Sequence, residues 1–278
     1  MRAYIGPSEV VGKLYVVDPA TAATRLVGPL RIGGGGAHVG VTGLAVHPKS
    51  GVMYGITAGV SPSLRPSLVK IDPKTAEATL VGTLGHSASD INFDSSGKLF
   101  AWLTDLDQLG TVDLAKGAAT PLGPPSTNPA STGGGLAIDG RGIAHIAATT
   151  AAGTLDKLDV HTGARTVGPV LTGARYLSAI HSLTFSPSGV LYGVNTNLAA
   201  PAKTALVTID PVSGVISLVG DLPEDADGLT FSPDVVAAVV ESSKSRNLAY
   251  WALAIAALLG LAVIVVLTRR GKSANAST

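Results

Sequence analysis

The sequence predicts an all-β chain, a β-propeller of about five four-stranded blades, followed by one C-terminal transmembrane helix. Three observations predict it. Two short phrases alternate down the chain, their spacing matches one propeller blade, and a single uncharged apolar run is long enough to cross a bilayer.

The first phrase is a strand, a tight turn and a second strand. It reads GLAVHPKSGVMYG at 43–55, DINFDSSGKLF at 90–100, GLAIDGRGIAH at 135–145, SLTFSPSGVLYG at 182–193 and, shortened, GLTFSP at 228–233. The second phrase is a strand ending in an aspartate turn and leading to a strand that ends in Val-Gly. Its copies are LVVDP-like segments at 14–19, 68–73 and 206–211, with weaker ones at 110–113 and 155–159. Apolar residues alternate within each copy, as at Leu183 and Phe185 or Val207 and Ile209, and Pro, Gly, Ser and Asp bound them. Each repeat is therefore two hairpins, or four strands.

The repeated aspartates Asp18, Asp72, Asp113, Asp159 and Asp210 recur at the roughly 40–50 residue period of a propeller blade. An Asp side chain caps nearby amides in a turn, Pro presets φ and Gly accepts positive φ, so these aspartates read as structural. The chain opens on a second phrase and its last phrase is a lone first one. Closure is expected from pairing Gly228–Val240 with Gly12–Gly28, with 234–240 as the second strand. The expected organisation is an N-terminal segment at 1–11, the propeller at 12–240, a juxtamembrane linker at 241–247, the membrane helix at 248–267 and a basic tail at 268–278.

From Leu248 to Leu267 the sequence LAYWALAIAALLGLAVIVVL carries no charge, and twenty residues suffice to span a hydrocarbon core of about 30 Å. Tyr250 and Trp251 mark one interface, and Arg269, Arg270 and Lys272 follow the other end. Three cations after the span against Lys244 and Arg246 before it favour a cytoplasmic tail and an extracytoplasmic propeller. The first ten residues lack the pattern of a signal peptide, which leaves a tail-anchored, cytoplasm-facing arrangement as the alternative.

Composition narrows the function. Twenty basic and nineteen acidic residues give a net charge of +1, and the body of the domain has no basic run, so nucleic acid is not an expected partner. With no cysteine there is no disulfide, thiolate metal site or cysteine nucleophile. The runs Gly33–Gly36 and Gly133–Gly135 fit neither a dinucleotide nor a P-loop pattern, since no strand-to-helix context surrounds them.

The repeats resemble the YVTN-type repeats of quinoprotein-like and surface-layer bacterial propellers. The carrying residues are LYGVNTN at 191–197, then Ile209-Asp-Pro211, Ser213-Gly214 and Val219-Gly220. The resemblance covers most of 12–233 and implies architecture. It implies no cofactor and carries no catalytic set onto this sequence.

In a four-stranded blade the links from outer to next inner strand gather on one face around the channel. Here they hold His38, His86, Asp90, His181, Glu224, Asp225 and Asp227. Asp90, His181 and Asp227 are the candidate catalytic residues of a hydrolase or lyase acting on a glycan at this mouth. His38, His86 and Asp225 are candidate ligand-binding residues, and no metal or cofactor is assigned. The absence of a nucleophile-elbow or other catalytic motif favours the other reading, a non-catalytic membrane-anchored module that binds protein or glycan.

Overall fold

A computed structural model describes residues 10–33, 36–57, 64–123, 134–148, 153–176, 179–197, 203–232 and 262–269. Among them every regular element is a strand, and no helix is long and apolar enough to cross a membrane. The fold is an all-β propeller.

Four blades are each built from one contiguous stretch. The first holds β4 (Val41–Val46), β5 (Met53–Thr57), β6 (Ser67–Ile71) and β7 (Glu77–Thr83), and β3 (Arg31–Ile32) adds a short parallel strand beside β7. The second holds β8 (Ala88–Phe93), β9 (Leu99–Leu103), β10 (Gln108–Val112) and β11 (Ala119–Pro121). The third holds β12 (Leu136–Ile138), β13 (Ile143–Ala148), β14 (Thr154–Asp159) and β15 (Arg165–Thr166). The fourth holds β16 (Ala179–Phe185), β17 (Leu191–Thr196), β18 (Thr204–Ile209) and β19 (Ile216–Leu222). Apart from the added β3, all neighbours within these blades are antiparallel, so each phrase of the sequence is one hairpin.

A further sheet is assembled from both ends of the described chain, in the order β2 (Thr24–Pro29), β1 (Val10–Val17), β21 (Ala262–Arg269), β20 (Ala226–Phe231). Val10 pairs with Arg269 and Val17 with Ala262, while Phe231 pairs with Ala262 on the other side. The sequence expectation of a helix from Leu248 to Leu267 thus meets a strand over 262–267. Val263, Ile264, Val265 and Val266 are β-branched and suit a strand as well as a bilayer. The slot beside β20, expected for 234–240, is taken by β21. Residues 234–240 and 248–261 lie outside the described residues.

The second phrase behaves as its turn chemistry predicts. In all five copies the aspartate Oδ1 accepts the amide of the residue two further on, at 2.7–2.8 Å. The residue four further on donates its amide back to the aspartate carbonyl. That residue has positive φ in every copy: Ala22, Ala76, Gly117, Gly163 and Gly214. A left-handed residue reverses the chain so that the outer strand folds back, which is why glycine fills three of the five positions.

The Val-Gly ends explain how repeats dock. A Cβ on Gly82 would stand 2.0 Å from the Lys116 carbonyl oxygen, and one on Gly123 2.3 Å from that of Thr162. Each glycine admits the aspartate turn of the following blade, and Gly28 and Gly220 do the same for Thr75 and Thr21. Between successive sheets lies one apolar cluster. Leu68, Ile91 and Leu103 belong to one, Trp102, Leu136 and Ile146 to the next, and Leu155, Leu183 and Val207 to a third. Leu14, Val41 and Met53 join the two-ended sheet to the first blade, and Val17, Leu206 and Leu229 join it to the fourth. Burying such side chains, at about 1.5–3 kcal/mol each, is the main attraction between blades.

Candidate functional site

The first strands β4, β8, β12, β16 and β20 surround the axis and neighbour one another in that order, β20 returning to β4. Superposing the repeats puts Gly43, Asp90, Gly135, Ser182 and Gly228 at one level. Three glycines there let the strands approach: a Cβ on Gly43 would lie 2.8 Å from Asp90 Cα, and one on Gly135 2.5 Å from the Ser182 carbonyl carbon. Space on the axis is left for one carboxylate.

Asp90 supplies it and is fully buried. Its Oδ1 accepts the Ile91 amide at 2.9 Å, and its Oδ2 accepts those of Leu136 at 2.9 Å and Leu183 at 3.0 Å. The Ser182 hydroxyl also bonds it and in turn accepts the Leu229 amide at 3.0 Å. Burial pushes the carboxyl well above the usual carboxylate range, against the pull of these four donors. Successive strands thus point amides at one internal acid, which plugs the channel.

One residue nearer the mouth, His181 Nδ1 lies 3.6 Å from Asp227 Oδ1, both side chains partly open to solvent. Burial raises the Asp227 carboxyl, with the imidazole opposing it. Burial lowers His181 but the Asp227 carboxylate overrides it, leaving the imidazole raised. The three candidate catalytic residues therefore come from adjoining levels of β8, β16 and β20. The Asp90 oxygens are engaged by protein donors, whereas the His181–Asp227 pair keeps some exposure to solvent.

The candidate ligand residues do not join them. His86 Nδ1 pairs with Asp105 Oδ2 at 2.9 Å, within its own blade. His38 sits half-buried in the β3–β4 link, in a backbone bridge with Arg31. Asp225 occupies a tight turn at φ 61° before β20. Among the described residues no three His, Asp or Glu side chains form a metal-binding group.

A pocket lies at the opposite end of the same axis, where the inner strands run into their first turns. It holds about 230 Å³ and is lined by residues of all five inner strands, among them Ala45, Asn92, Ile138, Thr184 and Thr230. The Asp90 level lies two residues deeper, so the pocket is blind. Asp94 stands on its rim. Asp94 Oδ1 accepts the Ser96, Gly97 and Lys98 amides and the Ser96 hydroxyl. Partial burial raises this carboxyl, but the four donors hold it below its ordinary value.

No family model matches the sequence, and no curated protein does. Solved structures share the fold. A chain of a nidogen/laminin complex superposes with TM-score 0.50 at 15% identity, over 79% of this chain and 81% of that one. TolB from Acinetobacter baumannii gives TM-score 0.49 at 14% identity, over 82% of this chain and 57% of that one. A putative gluconolactonase gives 0.46 at 13% identity, over 69% and 68%. These likenesses concern architecture, and the ligand must be read from this chain's own residues.

Sequence reasoning placed the site on the link face and missed the pocket. The signal was present in the repeat phrase: the pocket residues Ala45, Asn92, Thr184 and Thr230 fall two positions after the axial level, on the same side of each strand, and the buried Ala137 holds that position in the third blade. Polar residues at three of those five positions mark a wet axis.

Proposed function

We propose that the chain is a non-catalytic binding module, a five-bladed propeller tethered to a membrane by Leu248–Leu267 and presenting its faces to a protein or glycan. The single observation that carries the reading is the state of Asp90. Asp90, the carboxyl at the level where the inner strands meet, is saturated by backbone amides and a hydroxyl. A glycosidase-type reaction needs two available carboxyl groups, roughly 5–9.5 Å apart. The two-ended sheet is counted as the fifth blade, because apolar clusters join it to the blades on either side.

Tethering and the β21 pairing both draw on Ala262–Leu267, so one molecule uses the segment one way at a time. In the tethered form the span lies in the bilayer and Asp234–Val240 takes the slot beside β20. The excess of cations after the span supports an extracytoplasmic propeller. Protease added to intact cells tests this. Digestion of the propeller supports export; digestion only after lysis would overturn it and favour a cytoplasm-facing, tail-anchored module.

The His181–Asp227 pair favours a second reading, a hydrolase or lyase acting on a glycan at the link-face mouth. Turnover of a glycan substrate that disappears in Asp227→Asn and His181→Ala, with the fold intact, would establish it over the first.

A further inference from the structure

We infer that the blind axial pocket on the turn face binds one neutral sugar ring, the terminal residue of a glycan. This inference rests on the binding-module reading and names its ligand class. A cavity of 230 Å³ is below the roughly 300–1,000 Å³ of sites for drug-sized ligands, yet holds the space of about seven waters. A single sugar ring fits that range, and the plug at the Asp90 level stops a chain from threading through.

The lining chemistry selects for hydroxyls. Asn92 Oδ1 accepts the Ile138 amide at 3.3 Å, which fixes the side chain and leaves its Nδ2 donor uncommitted. Thr184 and Thr230, each 4% exposed, line the pocket, and their hydroxyls have no hydrogen-bond partner among the described residues. Both hydroxyls belong to residues that line the pocket, where a ligand or water can donate to them or accept from them. Asp94 has its Oδ1 taken by turn donors, and its Oδ2 remains to accept from a ligand hydroxyl at the rim. A donor amide, two hydroxyls that donate or accept, and a fixed carboxylate match the vicinal hydroxyls of a sugar. Among the described residues no cationic side chain lines the pocket, and its charged rim is acidic. Phosphates and carboxylate ligands are therefore disfavoured.

The test uses the full chain in detergent with methyl glycosides of glucose, galactose, mannose and N-acetylglucosamine as probes, read by saturation-transfer NMR and calorimetry. At least one probe is expected to bind. Losing two hydroxyl hydrogen bonds in the isosteric pair Thr184→Val and Thr230→Val should weaken it by at least about tenfold. Thr184→Ser should keep affinity, and Ala45→Leu, which fills the cavity, should abolish binding. If a probe binds equally well to a folded Ala45→Leu protein, the pocket assignment falls while the binding-module reading stands. If no probe binds, the sugar assignment falls, and the turnover assay at His181 and Asp227 decides the broader reading separately.

Discussion

Gly220 in β19 lies against the turn that follows β1, so closely that a Cβ there would be 3.0 Å from both the Thr21 carbonyl oxygen and the Ala22 methyl. The same contact is tighter between Gly82 and Lys116, at 2.0 Å. Overpacking against backbone costs about 1–3 kcal/mol where the neighbour must move. Gly82→Ala should therefore destabilise by more than about 2 kcal/mol, and Gly220→Ala by about 1 kcal/mol. Urea unfolding of the two variants should show this order. Equal midpoints would mean that the repeats do not dock through their Val-Gly ends.

Asp90 offers a sharper test of how the axis is held. Asp90→Leu leaves the Ile91, Leu136 and Leu183 amides unpaired, at about 1–3 kcal/mol for each buried orphan. Against a total stability of roughly 5–15 kcal/mol, that is enough to unfold a large fraction of the protein. Asp90→Asn keeps one acceptor oxygen and should be milder. Circular dichroism melts check both, and a fully stable leucine variant would show that the plug is dispensable.

His145 stands where the other blades carry Tyr54, Phe100 and Tyr192, and its ring packs edge-on against Phe185 at 5.4 Å. It is 1% exposed, and Asp139 Oδ2 is 3.5 Å away. Burial lowers its affinity for a proton, despite the pull of Asp139. The unfolded chain takes that proton near pH 6.5 and the folded one resists it, so stability is lost as pH falls below about 6.5. His181, with its raised affinity, contributes an opposing slope that is lost as pH rises through its folded value. His145→Phe should flatten the acid-side loss relative to the parent while leaving the His181 contribution in place. Melting temperatures from pH 5 to 8 measure the difference, and parallel curves would sink the assignment.

The chain has no cysteine, so a single engineered pair reports β21 without background. Tyr15 and Ile264 are register partners across β1 and β21. A Tyr15→Cys, Ile264→Cys protein should cross-link on mild oxidation wherever β21 occupies the sheet. It should stay reduced wherever the segment is in a bilayer. Comparing purified protein with native membranes separates the two, and efficient cross-linking in membranes would overturn the tethering proposal.

The aspartate turns and Val-Gly ends were legible because each needs a particular local chemistry: a capping carboxylate, a positive φ, or room for a neighbouring backbone. The candidate site was less legible. Asp90 reads in sequence as an acid at a channel mouth, and only the neighbouring strands reveal that it faces amides from β12 and β16. Asn92, Thr184 and Thr230 gain meaning when five strands converge, which no local window contains. The run AVIVVL at 262–267 defeats single-sequence reading for a different reason. Uncharged β-branched residues satisfy a membrane helix and a central strand alike, and periodicity cannot separate the two in so short a stretch.

The sheet drawn from both ends also sets a timetable for synthesis. The β1–β2 hairpin leaves the ribosome early, yet the β1 partner, whether β21 or its proposed substitute, emerges only after all four contiguous blades. Those blades can each fold on local contacts as they appear, whereas closure waits on a pairing of very long sequence separation and is expected to be the slow step. Until then β1 presents a bare edge of unpaired amides and carbonyls to every other nascent chain nearby. The newborn protein is at its most vulnerable to aggregation when most of its blades are already complete.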